Sequence, residues 1–596
     1  MTIDALLRDY QSRTQAVQEK TDRVRSESTI AMAALLLAGA TFVYYGVEAL
    51  RHREPAWLPI LPAVVAIAAA VRFFRKNDAA SRMWRLRRFY GRAMQRVNAE
   101  WAEDTEYQTP NGDAFDDASH VFAHDLNILG DGSLFQLLCI ARSGIGQRGL
   151  AKYLLETPSR EETLARQEAV RELLPRADLR EQVTLLGSHS FAEAKWETFT
   201  DWLASPKVKF PPYIDILFFI TPPLLVAVLV ASLLQGALLQ PWTGILLFLQ
   251  VAAGILFKER VSEALAGLNL LASEIQVLRE GLELLEGQTF QSPKLRELQA
   301  RVKGSSAAAR RLEKLLWLCR ERAKDWFFAI SHALMVGLQV SIALERWRAQ
   351  HEAALPVWLE AWSEFEALNA LGCYAYENPD DIFPEIFEAG ACFEGLGVGH
   401  PLLPRDECVR NDVALDAATR FYIISGSNMA GKSTLLRAIG LNAVLAMAGA
   451  PVRAKTLRLS PLSVAASLSV VDSLLHGKSK FLAEVERLRQ AIDLTAQPRP
   501  VLFLIDEIFS GTNSRDRRAA AEAIVRTLIG KGAIGALSTH DLALTEIAHD
   551  PALCGINVHM GSRGQGDPMD FDYVLKTGVT QESNALAIAR MAGVVT

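Results

Sequence analysis

Cysteine is scarce in this chain: six in 596 residues, at positions 139, 319, 373, 392, 408 and 554. No two of them form a C-x-x-C pair, which removes a zinc-ribbon spacing and a disulfide framework and points to a reduced, cytosolic setting for the bulk of the chain. Excess positive charge is lacking as well. The 63 Lys and Arg stand against 68 Asp and Glu, a formal net charge of -5, so the whole chain carries no basic footprint for nucleic acid. A cleavable signal peptide is excluded because the first apolar run begins only at position 28, after a charged leader, and a second run follows it.

Apolar length is what the chain has instead. Mean hydropathy is +0.12 although 22% of residues are charged, so the apolar residues must be concentrated. Residues 28–47 carry no charge, residues 55–71 carry none, and 216–257 form a long uncharged stretch broken near Gln235-Gly236 and Gln240-Pro241-Trp242. A spanning helix needs about 20 apolar residues. The runs predict two membrane hairpins, 28–47 with 55–72 and 216–234 with 241–257. Basic residues set their direction. Arg8, Arg13, Lys20, Arg23 and Arg25 precede the first span, and a run from Arg72 to Arg96 follows the second; Lys207, Lys209, Lys258 and Arg260 flank the other pair. Both hairpins therefore start and end in the cytosol, with Arg51 and Arg53 in the outer loop running against the rule. The basic run 72–96 reads as positive-inside bias, with an anionic-lipid or nucleic-acid patch as the alternative. A further apolar stretch, 326–344, reads as a buried helix, since a fifth span would put the C-terminal half outside.

The chemistry lies in that half. Gly426-Ser427-Asn428-Met429-Ala430-Gly431-Lys432-Ser433-Thr434 fits the phosphate-loop pattern G-x-x-x-x-G-K-[ST], between a β-branched run at 421–424 and a helical pattern at 435–445. Backbone N–H groups of such a loop close round phosphate oxygens, Lys432 reaches the β- and γ-phosphates, and Ser433 sits on Mg²⁺. The run 501–505 is continuously apolar, as a strand buried on both faces is. It ends in Asp506-Glu507: one acid for the Mg²⁺ shell, one to polarise an attacking water. A second short apolar run, 533–537, ends in Ser538-Thr539-His540-Asp541, where His540 can bond a γ-phosphate or the water. Ser479 precedes a helical pattern at 481–496; it reads as a cap or as an anion site facing another subunit's nucleotide. ATP and Mg²⁺ are the implied cofactors.

These motifs resemble those of the MutS family. The phosphate loop, Asp-Glu-Ile-Phe-Ser-Gly-Thr-Asn from Asp506, and Ser-Thr-His-Asp from Ser538 look like its ATPase motifs. Gly477-Lys478-Ser479-Lys480-Phe481 occupies its signature-loop position, and His400-Pro401, Asn411-Asp412, Asn557-Val558-His559 and residues 578–593 resemble the ATPase domain's two ends. Residues 133–155 and 166–170 look like the family's helical core, and 358–379 like the helices that return beneath the ATPase. The resemblance implies a homodimeric ABC-type ATPase with composite sites: Lys432, Ser433, Asp506, Glu507 and His540 act in cis, and Ser479 completes the partner's site in trans. The chain departs from the mismatch-correcting members. Only about 120 residues precede the core, and the matches to a Phe-x-Glu wedge, at Phe257 and Phe383, lie in the wrong context.

The expected fold is an α/β P-loop NTPase domain of ABC type joined to an all-α core with two transmembrane hairpins. The expected divisions are a leader at 1–27, hairpin one at 28–76, a basic linker at 77–120, core helices at 121–207, hairpin two at 208–258, lever and returning helices at 259–395, and the ATPase at 396–596. The expected setting is multi-pass in the inner (cytoplasmic) membrane with the ATPase in the cytosol, driving a helical clamp for which double-stranded or branched DNA is the candidate ligand. A transport or membrane-remodelling ATPase is the alternative, set against the absence of a Leu-Ser-Gly-Gly-Gln signature and the scarcity of polar residues in the spans. A nucleotide-switched interaction scaffold is the third reading.

Overall fold

The computed structural model describes residues 2–580, apart from 52–54, 56, 103–108, 188–194, 235–240, 267, 323, 325, 326, 328–330, 332, 333, 389, 428, 469–479, 510–513 and 562–569. Two helices dominate the N-terminal part, Ile3–Leu50 of 48 residues and Ile60–Val97 of 38, packed side by side as a hairpin. At 1.5 Å per residue they are roughly 70 and 57 Å long. The expected divisions at 27/28 and 76/77 fall inside these helices. Leader and first apolar run are one helix, and the basic run continues the second. The hydropathy changes at these points but no Pro or Gly interrupts the hydrogen-bond ladder, so the backbone does not break there. The two ends of the hairpin pack differently. In the charged part Leu6, Tyr10, Val17, Leu86, Tyr90 and Ala93 form a buried cluster. In the apolar part Leu36, Leu37, Leu50, Leu61, Ile67 and Phe74 point outward, Leu37 being 72% exposed.

The second pair is Pro212–Leu234 and Pro241–Leu256, the latter followed by Lys258–Ala264 at a bend of 57°. Among the described residues, Ile3–Leu50 is long and apolar enough to cross a bilayer, and the bent pair makes a second such segment if taken as one span. The apolar stretch 326–344 is not a single helix. Its described residues break at Met335, whose φ is 52°, and the helix Val336–His351 starts there.

The helical core is organised round Ala354–Glu377, whose residues are almost all buried. Gly144–Leu155, Arg160–Leu173, Leu268–Gly287 and Pro293–Arg301 pack on it. Its polar residues are tied down: Glu364 accepts from Lys294 Nζ at 2.7 Å, Arg301 Nη1 at 3.0 Å and Tyr153 at 3.2 Å. The helix leads directly into the C-terminal α/β domain.

That domain has two sheets. The smaller, unanticipated from sequence, has the order β1-β5-β2-β3, with β1 Glu385–Ile386, β2 Phe393–Val398, β3 Asn411–Leu415 and β5 Thr456–Leu459. The larger has the order β10-β9-β4-β8-β7-β6, with β4 Phe421–Ser425, β6 Ser463–Ser467, β7 Val501–Asp506, β8 Ile534–Thr539, β9 Gly555–His559 and β10 Lys576–Thr577. All neighbours in it run parallel except β9 and β10. β4 and β8 are buried along their whole length, and β7 except at its tip, because helices cover both faces. Lys432–Ala448 lies on the face toward the helical core; Lys480–Leu494 and Ser514–Gly530 cover the other. β8 lies between β4 and β7, so the carboxyl ends of three parallel strands meet at one edge. Open α/β sheets bind their ligands at that edge.

Candidate active site

Strand register brings the motifs together. Ser425 at the tip of β4 is opposite Thr539 of β8, and Asp506 at the tip of β7 is opposite Ser538. The loop after β4 turns back over this edge and enters the helix Lys432–Ala448. Gly426 (φ 152°) and Gly431 (φ 93°) make the turn possible, since a Cβ at the first would run into the Met560 carbonyl and at the second into the Tyr573 ring. Asn428 lies outside the described residues. Ser427, Met429, Ala430 and Thr434 take their expected places in the loop and the first helical turn. Lys432 is buried, and its ammonium donates to the carbonyls of Gly426 at 2.9 Å and Ser427 at 2.8 Å. Burial lowers its pKa, while the charges of Asp506 and Glu507 oppose that shift.

Asp506 receives two hydroxyls, Ser433 Oγ on one carboxylate oxygen and Ser538 Oγ on the other. A hydroxyl and a carboxylate side by side suit a hard divalent cation such as Mg²⁺, which takes one or two protein oxygens and fills its remaining positions with phosphate and water. No group of three or more His, Cys, Asp or Glu side chains able to hold a metal occurs among the described residues. A cation held here would therefore depend on nucleotide oxygens.

Glu507 adopts φ 51°, its N–H donates to Ser538 O at 3.1 Å, and its Oε1 lies 3.1 Å from His540 Nδ1. Glu507 and His540, both expected at this edge, are therefore in direct contact. Of eight non-glycine residues with positive φ among those described, Met429, Glu507, Phe509 and Tyr573 line or flank this cleft. Such conformations cost of order 1 kcal/mol or more each and gather where geometry is constrained by function.

The edge opens into a cleft of ≈ 860 Å³ lined by Lys432, Ser433, Glu507, Val409, His400 and Tyr573 among others, large enough for a nucleotide. Tyr573 and Val409 expose apolar surface on which a purine can lie. Asn411 holds Tyr573 in place: its Nδ2 donates to Tyr573 O at 3.0 Å and its Oδ1 accepts Leu575 N–H at 2.7 Å. Sequence reasoning missed Tyr573, since a lone loop aromatic leaves no periodic signal. Burial, with Arg437 and Arg453 nearby, pushes His400 down to about 4, and its Nδ1 accepts the Leu402 N–H at 3.3 Å as a neutral ring does.

Ser479, expected to complete a partner's site, lies outside the described residues. The helix behind it is described. Glu484 is buried and accepts the Phe509 N–H at 2.6 Å, and the Phe481 and Phe509 rings lie 5.2 Å apart. The signature-loop helix is thereby fastened to the loop that follows Glu507. In the sequence Glu484 marks no more than the first turn of a helical pattern.

Residues 422–596 match the family described as MutS domain V. The chain is 27% identical over 321 residues to a DNA mismatch repair protein MutS of Thermotoga petrophila, covering 52% of this chain and 36% of that protein. It is 36% identical over 254 residues to an Endonuclease MutS2 of Thermus thermophilus (41% and 31%), and 34% identical over 263 residues to the DNA mismatch repair protein MSH6 of Arabidopsis thaliana (41% and 20%). The chain thus spans little more than a third, at most, of these relatives' length.

Proposed function

The chain belongs to the MutS family, and from that premise we propose that it is a membrane-anchored ATP hydrolase whose composite dimer sites drive a helical clamp on DNA. Family members bind and hydrolyse ATP through domain V. The observation that carries the reading is the convergence of Lys432, Ser433, Asp506, Glu507 and His540 on one cleft. The loop and Lys432 bind the triphosphate, Ser433 and Asp506 hold Mg²⁺, and Mg²⁺ supplies charge neutralisation on the phosphate oxygens. Glu507 accepts the proton of the attacking water, and His540 orients Glu507. Ser479 from the partner completes each site.

The anchoring part is supported by the outward apolar side chains of both hairpins and by basic residues at their cytosolic ends. The DNA part is supported by the names of the relatives alone, and true mismatch correction is not part of the proposal. The test is the ATPase rate of the detergent-purified dimer with homoduplex, mismatched and branched DNA at two salt concentrations. Stimulation that falls with salt supports a DNA clamp. Activity that disappears in Lys432→Ala but ignores every DNA form would retain the ATPase and reject the clamp. Transport in proteoliposomes that stops in Glu507→Gln would favour the transport reading instead, and tight ATP binding without turnover would favour a nucleotide-switched scaffold.

A further inference from the structure

The contact between Glu507 and His540 joins two side chains that solvent reaches. His540 Nδ1 lies 3.1 Å from Glu507 Oε1, with the side chains 49% and 31% exposed. A pair so open holds itself weakly, since water competes for both partners. Its geometry has to come from the backbones on either side, and both are fastened. Beyond Glu507 the chain leaves β7 through a second left-handed residue, Phe509 at φ 54°. The Phe509 N–H donates to Glu484 at 2.6 Å, and its carbonyl accepts from Arg517 Nε at 3.1 Å. Beyond His540, Asp541 caps the short helix Leu542–His549 by accepting the Ala543 N–H on Oδ1 at 3.0 Å. Its other oxygen lies 3.7 Å from Arg517 Nη1, and its own N–H donates to Thr539 Oγ1 at 2.9 Å. One guanidinium thus bridges two loops. Together with the Glu507–His540 contact it closes a ring through the residues that leave β7 and β8.

Arg517 differs from the arginines beside it. It lies in the first turns of the helix Ser514–Gly530, where a cation runs against the helix dipole and adds nothing to helix stability. Arg515 and Arg518 are exposed there, whereas the Arg517 side chain is 12% exposed and held between the two loops. A planar guanidinium can serve a carbonyl through Nε and a carboxylate through Nη at once, which a lysine ammonium on its flexible stem does not match. We propose that Arg517 is a positioning residue for hydrolysis, fixing Glu507 and His540 relative to each other. The assignment rests on the proposed hydrolase, in which Glu507 takes the proton of the attacking water. Were the ring opened, Glu507 would keep its carboxylate and lose its aim, and a misplacement of about 1 Å at a reacting group costs up to roughly 10²-fold in rate. Nucleotide binding would be spared, because Lys432 and its loop are set by β4 and by their own hydrogen bonds.

The test is single-turnover hydrolysis of ATP by the detergent-purified full chain, beside equilibrium binding of a fluorescent ATP analogue. Arg517→Gln should lower the hydrolysis rate roughly tenfold or more while affinity for the analogue holds within about twofold. Asp541→Asn keeps a residue that caps helices equally well, removes the charge that Arg517 meets, and should lower the rate in the same sense. The sharper comparison is made in Glu507→Gln. A residue that acts through Glu507 has nothing left to aim there, so adding Arg517→Gln should change the residual rate less than about twofold. Should Arg517→Gln fail to bind the analogue, Asp541→Asn takes its place in both backgrounds. The same loss in both backgrounds, or a normal rate in both Arg517→Gln and Asp541→Asn, would overturn the assignment while leaving the hydrolase standing. A wild-type chain that binds the analogue and does not hydrolyse ATP would overturn the hydrolase reading, and this assignment with it.

Discussion

In the proposed hydrolase Glu507 would meet two demands: its carboxylate would face the reacting water, and its backbone must follow the strand that holds Asp506. The φ of 51° and the bond from His540 at 3.1 Å reconcile them. Lys432→Ala and Glu507→Gln should therefore fail differently. The first removes the buried ammonium held over the loop and should abolish binding of a fluorescent ATP analogue together with turnover. The second keeps the shape and should bind ATP at near-normal affinity while kcat falls about 10²-fold or more, an outcome read by equilibrium binding beside single-turnover hydrolysis. A second residue-scale expectation concerns pH. Glu366 accepts the N–H of Arg142 at 2.6 Å, with Ser143 bonded to its other oxygen, yet burial outweighs these contacts and raises its pKa to about 7. A folded pKa above the unfolded value near 4.5 means that the fold favours the proton. The stabilisation is complete below pH ~4.5 and is lost as pH rises through ~7. Relative to Glu366→Gln, the wild type should lose about 3 kcal/mol across that window, an order-of-magnitude figure measured from denaturant midpoints at about pH 5 and 8. An equal gap at both pH values would refute the burial of an ionisable proton there.

At the scale of elements, the N-terminal hairpin is fastened to the core through one buried knot. Glu377, at the end of the central helix, receives Arg96 Nε at 2.7 Å and Nη2 at 2.6 Å, with Tyr10 from the first helix at 3.3 Å. Burial opposes the charge on Arg96, and Glu377 more than compensates, raising its pKa. Both side chains are nearly inaccessible, at 7% and 3% exposure. Removing one partner strands the other charge, which costs roughly 3–5 kcal/mol. Arg96→Met and Glu377→Gln should each destabilise by about that amount, and the double variant by clearly less than their sum, as a double-mutant cycle would record. Additivity would mean that the pair does not hold the hairpin. None of this was legible in the sequence, because residues 10, 96 and 377 are far apart along the chain and the basic run that ends at Arg96 reads there as positive-inside bias. The strands β4, β7 and β8 were legible, since a continuous apolar run that ends in chemistry-bearing residues fits little besides a buried strand. The smaller sheet was not: β1 has two residues and β2 carries two glycines within six, too little pattern to distinguish from a loop.

For the whole molecule, the decisive feature is that packing inverts along one pair of helices. Near the core the hairpin buries Leu6, Tyr10 and Tyr90; farther out it exposes Leu37, Leu61 and Phe74. Water cannot be the solvent of that second surface at little cost, because each exposed large apolar side chain forgoes roughly 1.5–3 kcal/mol of burial. On the proposed anchoring a bilayer would remove the conflict, and the basic residues flanking the apolar part would set its direction. Arg51, at the tip of the hairpin, should then face the far side of the membrane, while Lys531, exposed on the C-terminal α/β domain, should face the cytosol. In intact cells expressing Arg51→Cys, a membrane-impermeant maleimide should label that cysteine, whereas the cysteine of Lys531→Cys should react only after lysis. Labelling is judged against the parent chain, whose six native cysteines set the background. If both positions react only after lysis, the hairpin lies within the cytosol and its apolar face must be covered by protein. If Lys531→Cys reacts in intact cells, the orientation is reversed and the nucleotide site would sit where ATP is scarce, which would undo the proposed hydrolase as well as its anchor.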